Sequence, residues 1–323
     1  MGETLTVKLL GSHLVAGELV AGQDITVSVD QVLVEDATGT MTAMQFELLG
    51  DVMDVAVPLA VMYVDHNVLQ IDDKNMQDHR YLWTFSERYG MRFSPPGHGI
   101  SHYIHLERFA RPGQLLVGAD SHTTTAGAVG MFATGAGGLE VAVAMAGYGF
   151  ELPCPRVIGV ELIGRLSEGV EAKDVVLELL RRYGVRGGRG AVFEFFGDGV
   201  PGISTAGRAT ICNMVMETGA TTGVFPSDDE TRRWLAAQGR EDAWHPLAAD
   251  PGASYDAVER IDLSSLEPLV ALPPSPGNVV PVAEAAGIEL VQVCVGSRST
   301  APTRTWPPSQ PCCAATRWRP ASS

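Results

Sequence analysis

The alternation of apolar and polar positions along the chain predicts strands and helices that follow one another in turn. Residues 5–35 alternate with a period near two and are interrupted by glycine, which is typical of short strands. Further apolar runs predict strands at 55–64, 115–117, 156–162 and 191–196. Helical patterns predict helices at 41–49, 77–89, 99–109, 139–147, 172–183, 205–219 and 231–238. Strands that alternate with helices indicate the α/β class.

The order of these elements divides the chain into predicted units. One α/β domain is predicted over 1–155 and a second over 156–263. The proline-rich residues 264–280 are predicted to form a linker. Residues 281–297 would then begin a third α/β domain.

The end of the chain changes character near residue 297. Before it, a helix with proline in its first position is predicted at 281–287, and a buried strand at 290–295. After it, residues 299–323 contain no Asp or Glu, are rich in proline and keep no helical or strand period. This composition predicts a disordered tail over 298–323.

The composition of the chain argues against several classes of partner and site. The chain has 323 residues and a net charge of −15, which argues against nucleic acid and anionic membrane surfaces as partners. It has no run of about 18 apolar residues and no signal-peptide pattern, so the cytoplasm is the predicted location. The five cysteines have no paired C-x-x-C spacing, so neither a zinc site nor a disulfide framework is indicated.

Polar side chains able to transfer protons follow the predicted strand at 115–117. Asp120, Ser121 and His122 come in a row among threonines and glycines. Functional side chains often lie at the carboxyl end of a strand in α/β proteins. The same residues could instead form an Asx-turn and a helix cap that only satisfy backbone N–H groups. The sequence leaves both interpretations open.

Histidines concentrate in one part of the chain. Six of the eight lie between residues 66 and 122. A carboxylate next to an imidazole orients it and raises its basicity, as Asp65 would for His66. Together with His102 and the run from Asp120 to His122, this pair predicts an acid–base active site.

Two other groups of residues have less specific patterns. His98, His102 and His105 are spaced as on one helix face, which suggests a metal-dependent hydrolase, although no H-E-x-x-H motif is present. Asn213 and Glu217 lie four apart, so on a helix they share one face. That face could equally be a solvated stripe, although its neighbours are apolar.

Six motifs together resemble one known family. They are the runs at 35–38 (EDAT), 63–66 (YVDH), 99–102 (GISH), 118–123 (GADSHT), 152–160 (LPCPRVIGV) and 209–214 (ATICNM). On these residues the chain resembles the aconitase superfamily. It is more similar to the mitochondrial-type aconitases than to homoaconitase or the large subunit of isopropylmalate isomerase. The resemblance covers residues 5 to about 297 in the family's order.

The resemblance implies a fold, a reaction and a cofactor. The implied fold is a set of three-layer α/β/α domains. The implied reaction is the hydro-lyase isomerisation of citrate and isocitrate through cis-aconitate, with a small tricarboxylate as substrate. The implied cofactor is a [4Fe-4S] cluster, one iron of which is bound to no cysteine and acts as a Lewis acid on the substrate.

The resemblance also implies roles for individual residues. Protonation of the departing hydroxyl is implied for Asp65, His66 and His102. Lining of the substrate and of the cluster's open iron is implied for Asp120, Ser121 and His122. Contacts with the cluster side and with substrate oxygens are implied for Asn213 and Glu217. The predicted catalytic residues are Asp65, His66, His102, Asp120 and His122.

Two positions depart from the family's pattern. Glu35 stands where a glutamine commonly contacts a substrate carboxylate, and an ionised carboxylate there would repel an anionic substrate. Arg298 stands where the first cluster cysteine belongs, and a guanidinium cannot ligate iron. The family's other cluster cysteines would lie beyond the end of this chain. We therefore expect the chain as given to lack the cluster and to be inactive by itself.

Three explanations remain open at this point. A frameshift near residue 297 would account for the foreign tail, and a genuine disordered tail is its alternative. The chain could also be one half of a split enzyme whose cluster domain lies on a complementing chain. A metal-dependent hydrolase that uses the clustered histidines is the third possibility.

Overall fold

Strands and helices alternate around two parallel sheets in the computed structural model, which describes residues 2–50 and 54–293. The predicted α/β class is confirmed. The strands are β1 (Leu14–Ala16), β2 (Asp24–Val27), β3 (Gln31–Glu35), β4 (Leu59–Tyr63), β5 (Arg92–Ser94), β6 (Leu115–Gly118), β7 (Phe132–Gly135), β8 (Phe150–Pro153), β9 (Arg156–Ile163), β10 (Ala191–Phe196), β11 (Thr222–Val224), β12 (Ala257–Asp262), β13 (Leu269–Ala271) and β14 (Val279–Pro281). The α-helices are α1 (Leu5–His13), α2 (Asp36–Leu48), α3 (Asp73–Tyr89), α4 (Ser101–Arg108), α5 (Gly138–Met145), α6 (Ala172–Tyr183), α7 (Thr205–Val215) and α8 (Asp229–Ala237).

The first sheet holds five parallel strands in the order β5-β4-β3-β6-β7. Its strands are apolar on both faces, as in β3, where Val32 and Leu33 are both buried but belong to different cores. Such a sheet needs cover on both sides. Helices α2, α3 and α5 pack on one face, while α4 and the 3-10 helix Ser121–Val129 pack on the other. The result is the predicted three-layer arrangement.

The second sheet is also parallel, in the order β11-β10-β9-β12. Helices α6 and α7 supply apolar side chains to the core on one of its faces. On β10, the buried Glu194 accepts hydrogen bonds from the Leu5 and Thr6 backbone N–H groups, both at 2.8 Å, and from the Tyr255 hydroxyl at 3.0 Å. A carboxylate at a helix N-terminus is electrostatically favourable, so Glu194 attaches α1 to this sheet.

Smaller elements complete the described part of the chain. Strands β1, β2 and β8 form an antiparallel sheet, and β13 pairs with β14 in an antiparallel hairpin. Most of this hairpin lies within residues 264–280, the predicted linker, whose two short strands satisfy each other's backbone groups. The division into domains stays a prediction. Within the described ranges, no helix is long and apolar enough to cross a membrane.

The structure corrects three sequence-based expectations at the ends of the chain. Residues 5–13 form a helix and not a strand, because Thr4 caps its N-terminus and Glu194 binds its first N–H groups. The strand expected from residue 290 is absent over 290–293, where Leu290 and Val291 are 71% and 99% exposed and no described strand pairs with them. The helix predicted at 281–287 is a short 3-10 turn. The remaining predictions on this region, at 294–297 and for the tail at 298–323, lie outside the described residues.

Close contact between the 3-10 helix 121–129 and α7 joins the two sheets. The Thr124 hydroxyl donates to the Cys212 carbonyl oxygen at 2.7 Å, and the Asn213 amide donates to Thr125 Oγ1 at 2.9 Å. The 3-10 helix also lies close to β11 of the second sheet, because a Cβ added at Gly127 would collide with the Gly223 carbonyl oxygen. Glycine is therefore required here for space rather than for its backbone conformation.

We expect Gly127→Ala to lower the free energy of unfolding by about 1–3 kcal/mol, because overpacking forces the 3-10 helix and β11 apart. Urea denaturation followed by circular dichroism measures the change. Gly202→Ala is the matched control, since nothing lies within 4 Å of its added Cβ. Equal stability of the two variants would contradict the claim that this contact is fixed by close packing.

Candidate active site

The carboxyl ends of three neighbouring strands bring the predicted catalytic residues together. Glu35 is the last residue of β3, Asp65 and His66 follow β4 closely, and Asp120 follows β6. Strands β4, β3 and β6 are adjacent in the first sheet, so these side chains meet at one edge. We call Glu35, Asp65, His66 and Asp120 the strand-end cluster.

Asp36 fixes the loop that carries two members of this cluster. Its Oδ1 accepts the backbone N–H groups of Asp65 at 2.9 Å and His66 at 2.8 Å, and its Oδ2 accepts that of Asn67 at 2.8 Å. Its side chain is 1% exposed, and His79 Nε2 lies 3.5 Å from Oδ2. A buried carboxylate is costly unless donors satisfy it, and here three backbone donors do so. The sequence pattern predicts no role for Asp36 beyond its place in the run at 35–38.

His66 lies between the other carboxylates of the cluster. Its Nδ1 is 2.9 Å from Asp65 Oδ1 and 3.3 Å from Glu35 Oε2, and its Nε2 is 3.5 Å from Asp120 Oδ2. The contacts with Asp120 and Asp65 raise the pKa of His66 to about 10, against the opposing effect of burial. His66 is therefore an imidazolium at neutral pH and can supply a proton.

Asp120 caps a helix and also contacts two histidines. Its side chain caps the 3-10 helix by accepting the His122 backbone N–H at 2.6 Å. The same carboxylate lies 3.0 Å from His102 Nε2, beyond its contact with His66. Burial alone would raise the pKa of Asp120, but the contacts with His102 and His66 outweigh it and hold this pKa well below its usual range.

Asp65 is held in its charged form by contacts on both oxygens. Oδ2 accepts the Ser101 backbone N–H at the start of α4, at 2.7 Å, and Oδ1 contacts His66. Burial opposes ionisation, but the hydrogen bonds from His66 and Ser101 prevail and lower the pKa of Asp65. Asp65 therefore orients His66 from the side opposite Asp120.

The remaining predicted residues lie around this cluster at different depths. His102 is buried on α4, and its ring centroid is 6.0 Å from that of His122. His122 Nδ1 lies 3.2 Å from the Asn213 carbonyl oxygen, which connects it to α7. Asn213 is fully buried, and its Oδ1 has no hydrogen-bond partner among the described residues. Glu217 lies in the 3-10 turn that follows α7, so it is not on α7 with Asn213. The roles implied for these residues stay predictions.

The three clustered histidines do not form a metal site. His98 is exposed in the loop before α4 begins at Ser101, so it is not on the helix face of the other two. Both ring nitrogens of His105 are already used, Nδ1 with the Tyr63 hydroxyl at 3.0 Å and Nε2 with Gln31 Oε1 at 2.8 Å. Burial lowers the pKa of His105 to about 3. The hydrolase hypothesis based on these residues is therefore wrong.

Glu35, Asp36, Asp65 and His66 do place ligand-type atoms within 4.8 Å of one another. These atoms are occupied by donors of the protein itself, because Asp36 accepts three backbone N–H groups and Asp65 accepts a fourth. His66 Nδ1 faces Asp65 as part of a cationic ring. The group is a closed hydrogen-bond network, and we assign it no metal.

A cleft of about 660 Å³ lies next to the strand-end cluster. Asp120, Ser121, Glu140 and Met216 are among the residues that line it. Within the described part of the chain, its lining includes no Lys or Arg. A polyanionic ligand bound here would need cations from elsewhere.

The described cysteines do not fit an iron–sulfur cluster. Of the five cysteines, Cys154 and Cys212 lie in the described ranges, and both are buried free thiols. Cys212 Sγ donates to the Gly223 carbonyl oxygen at 3.4 Å, and burial raises the pKa of this thiol far above its usual range. A cluster requires several accessible thiolates close together. The described residues offer no such set.

Parallel sheets with carboxylate and imidazole groups at their strand ends define an α/β protein with an acid–base site. Residues 7–301 match the aconitase family (aconitate hydratase). The chain is 37% identical to 3-isopropylmalate dehydratase large subunit 2 of Archaeoglobus fulgidus, over 92% of this chain and 71% of that protein. It is 39% identical to a probable mitochondrial aconitate hydratase of Caenorhabditis elegans, over 84% of this chain and 38% of that protein. The chain belongs to the aconitase family of hydro-lyases.

The comparison with a solved structure gives a weaker match. The structure of aconitase X from Thermococcus kodakaraensis aligns with a TM-score of 0.40 and 9% identity, over 74% of this chain and 57% of that one. The two relatives above come from different branches of the family and have similar identities to this chain. Superfamily membership is therefore confirmed, and the preference for the mitochondrial branch stays a prediction.

We expect Asp120→Asn to lower the pKa of His66 from about 10, because the substitution removes the contact that contributes most to it. The stability that the raised pKa of His66 contributes is complete at pH values below 6.5, the pKa of this group in the unfolded chain. It is lost as the pH rises through about 10, the pKa in the folded protein. In the variant the loss should begin at lower pH. Titration of the ring by ¹⁵N NMR measures the pKa directly.

Asp30→Asn is the matched control for this experiment. Asp30 Oδ2 lies 2.7 Å from His13 Nε2, and although burial lowers the pKa of His13, the hydrogen bond with Asp30 contributes to a net increase. The control should lower the pKa of His13 and leave that of His66 unchanged. A His66 titration that is the same in Asp120→Asn and in the wild type would contradict the assignment.

Proposed function

We propose that this chain supplies the acid–base half of an aconitase-type hydro-lyase site that acts on a hydroxylated polycarboxylate. The observation that carries the proposal is the His66 imidazolium held between Asp65 and Asp120 at the carboxyl edge of the first sheet. A cation oriented by two anions is suited to give a proton to a departing hydroxyl, which is a poor leaving group until it is protonated. Family membership supports the same reaction class.

The proposed step is the elimination of water from the substrate. The C–O bond breaks, the departing oxygen takes the proton of His66, and a proton leaves the neighbouring carbon as the C=C bond forms. His66 becomes neutral and recovers its proton when water adds in the reverse direction. Asp65 orients the ring, and Asp120 balances its charge. We assign none of the described residues to the base that removes the carbon-bound proton.

We further propose that the cluster and the substrate-binding cations come from outside the described residues. The described cysteines do not fit a cluster, and the described lining of the cleft contains no Lys or Arg. Citrate, homocitrate or isopropylmalate would each need such cations to offset its carboxylates. The substrate class proposed here is therefore a small di- or tricarboxylate, and the finer choice depends on the missing part of the site.

A complementing chain is the second form of this proposal. Several relatives are named as large subunits of 3-isopropylmalate dehydratases, and this chain spans 71% of the length of each. A large subunit implies a partner subunit, which supports an enzyme divided between two chains. In either form, we expect this chain alone to be inactive.

Anaerobic reconstitution with iron and sulfide tests the proposal. We expect the purified chain alone to bind no stoichiometric cluster, as measured by its visible absorbance and by iron analysis, and to show no hydration of cis-aconitate or isopropylmaleate. Addition of the polypeptide that a neighbouring reading frame encodes, if it carries the cluster cysteines, should give a coloured and active complex. A stoichiometric cluster on the chain alone would overturn the view that it holds only half of the site.

Variants of the active complex then test the role of His66. His66→Asn should abolish the hydration activity while leaving complex formation intact, because the proton donor is lost. His13→Asn is the matched control, since His13 is also a histidine paired with an aspartate but belongs to another cavity. Retained activity in His66→Asn would contradict its role as proton donor.

A further inference from the structure

The hydrogen bonds of Thr38 constrain the protonation of Glu35. Thr38 Oγ1 lies 2.7 Å from Glu35 Oε1 and 3.0 Å from the Ala119 carbonyl oxygen. A hydroxyl has a single hydrogen, and a carbonyl oxygen can only accept. If Glu35 is ionised, its carboxylate and the buried Ala119 carbonyl oxygen compete for the single hydroxyl hydrogen of Thr38. One of these two acceptors is then left without a hydrogen bond from Thr38. If Glu35 is neutral, its own O–H donates to Thr38, and Thr38 donates to Ala119.

The donors around the other oxygen, Oε2, lower the pKa of Glu35 and so favour the ionised state. Oε2 accepts the Ala37 backbone N–H at 2.5 Å and lies 3.3 Å from His66 Nδ1. The proton of a neutral Glu35 would therefore be on Oε1, where the acceptor is. The orientation of the whole group is fixed by its position as the N-cap of α2.

Charge balance around Glu35 points the same way. The groups that face it are His66 and Asp65 from the loop after β4 and Asp120 from the 3-10 helix, with Asp36 next to it on α2. The single imidazolium of His66 is already shared by two carboxylates, and Asp36 is satisfied by backbone N–H groups. The side chain of Glu35 is 1% exposed, so a third negative charge on this imidazolium would have little solvent to stabilise it.

We propose that Glu35 is held as a neutral carboxylic acid that donates from Oε1 to Thr38, and so has the hydrogen-bonding pattern of a glutamine amide. Burial raises the pKa of Glu35, against the contacts with Thr38 and His66, and repulsion from Asp120 adds to the increase. Glu35 is thus a positioning residue beside His66. If the proposed function holds, this removes the repulsion that an ionised Glu35 would exert on an anionic substrate.

Infrared difference spectroscopy of the full chain at pH 7 tests the protonation state without any activity assay. The C=O stretch of a neutral carboxylic acid is well separated from carboxylate bands. We expect the wild-type minus Glu35→Gln spectrum to show the carboxylic acid band, which shifts on ¹³C labelling of glutamate. A difference spectrum that shows only lost carboxylate bands would overturn the proposal.

Glu194→Gln is the matched control. Glu194 is also fully buried, but its neighbours are donors, namely two backbone N–H groups and the hydroxyls of Thr6 and Tyr255. All of these neighbours can donate to its carboxylate oxygens. Its difference spectrum should therefore contain carboxylate bands and no carboxylic acid band. A carboxylic acid band in both variants would mean that burial alone, and not the Thr38 arrangement, decides the protonation state.

The pH dependence of stability gives a second, independent readout. A raised pKa in the folded state means that the native protein binds the Glu35 proton more tightly than the unfolded chain does. Wild-type stability relative to Glu35→Gln should therefore fall as the pH rises above 4.5, the unfolded value, and level off above the folded pKa. A stability difference that rises or stays constant over this range would contradict a neutral Glu35. If no hydro-lyase activity is found but the infrared and stability measurements give the expected results, the neutral state of Glu35 is supported independently of the proposed function.

Discussion

The geometry of the site depends on the hydrogen bonds that the Asp36 carboxylate accepts. Three consecutive backbone N–H groups converge on it, and they belong to the residues that carry Asp65 and His66. Because its side chain is almost fully excluded from water, no solvent can replace any of these bonds. The loop after β4 is therefore bound to the first turn of α2. The position of His66 follows from a charge that takes no part in the chemistry.

A second constraint is electrostatic. Asp65 and Asp120 are ionised and share the His66 imidazolium, and this sharing keeps the proton on the ring at neutral pH. The arrangement holds a proton at a defined point, Nε2, which lies 3.5 Å from Asp120, a residue that lines the cleft. It also leaves the edge of the sheet with more negative than positive charge. A site of this kind can protonate a leaving group, but it cannot by itself attract a polyanion.

The sequence predicted those parts of the fold that depend on local pattern. Apolar runs such as the one before Asp120 became central strands, and Asp65 and His66 follow the end of β4 as the pattern predicted. The failures came from long-range contacts. The helix at 5–13 depends on Glu194, which lies far away in sequence, and the use of both His105 nitrogens by Tyr63 and Gln31 could not be read from helical spacing. The Asp36 role was equally invisible, because only tertiary structure brings the backbone of the loop after β4 to its side chain.

The two departures from the family's pattern have different physical consequences. A glutamate at position 35 keeps the shape of a glutamine, and one proton is enough to restore the amide's donor and acceptor, so the substitution leaves the hydrogen-bond network intact. An arginine at position 298 changes both shape and chemistry, since a guanidinium has neither a lone pair nor a negative charge to offer a metal. The first change is compatible with a working acid–base site. Under the proposed function, the second change requires cluster ligands from another source.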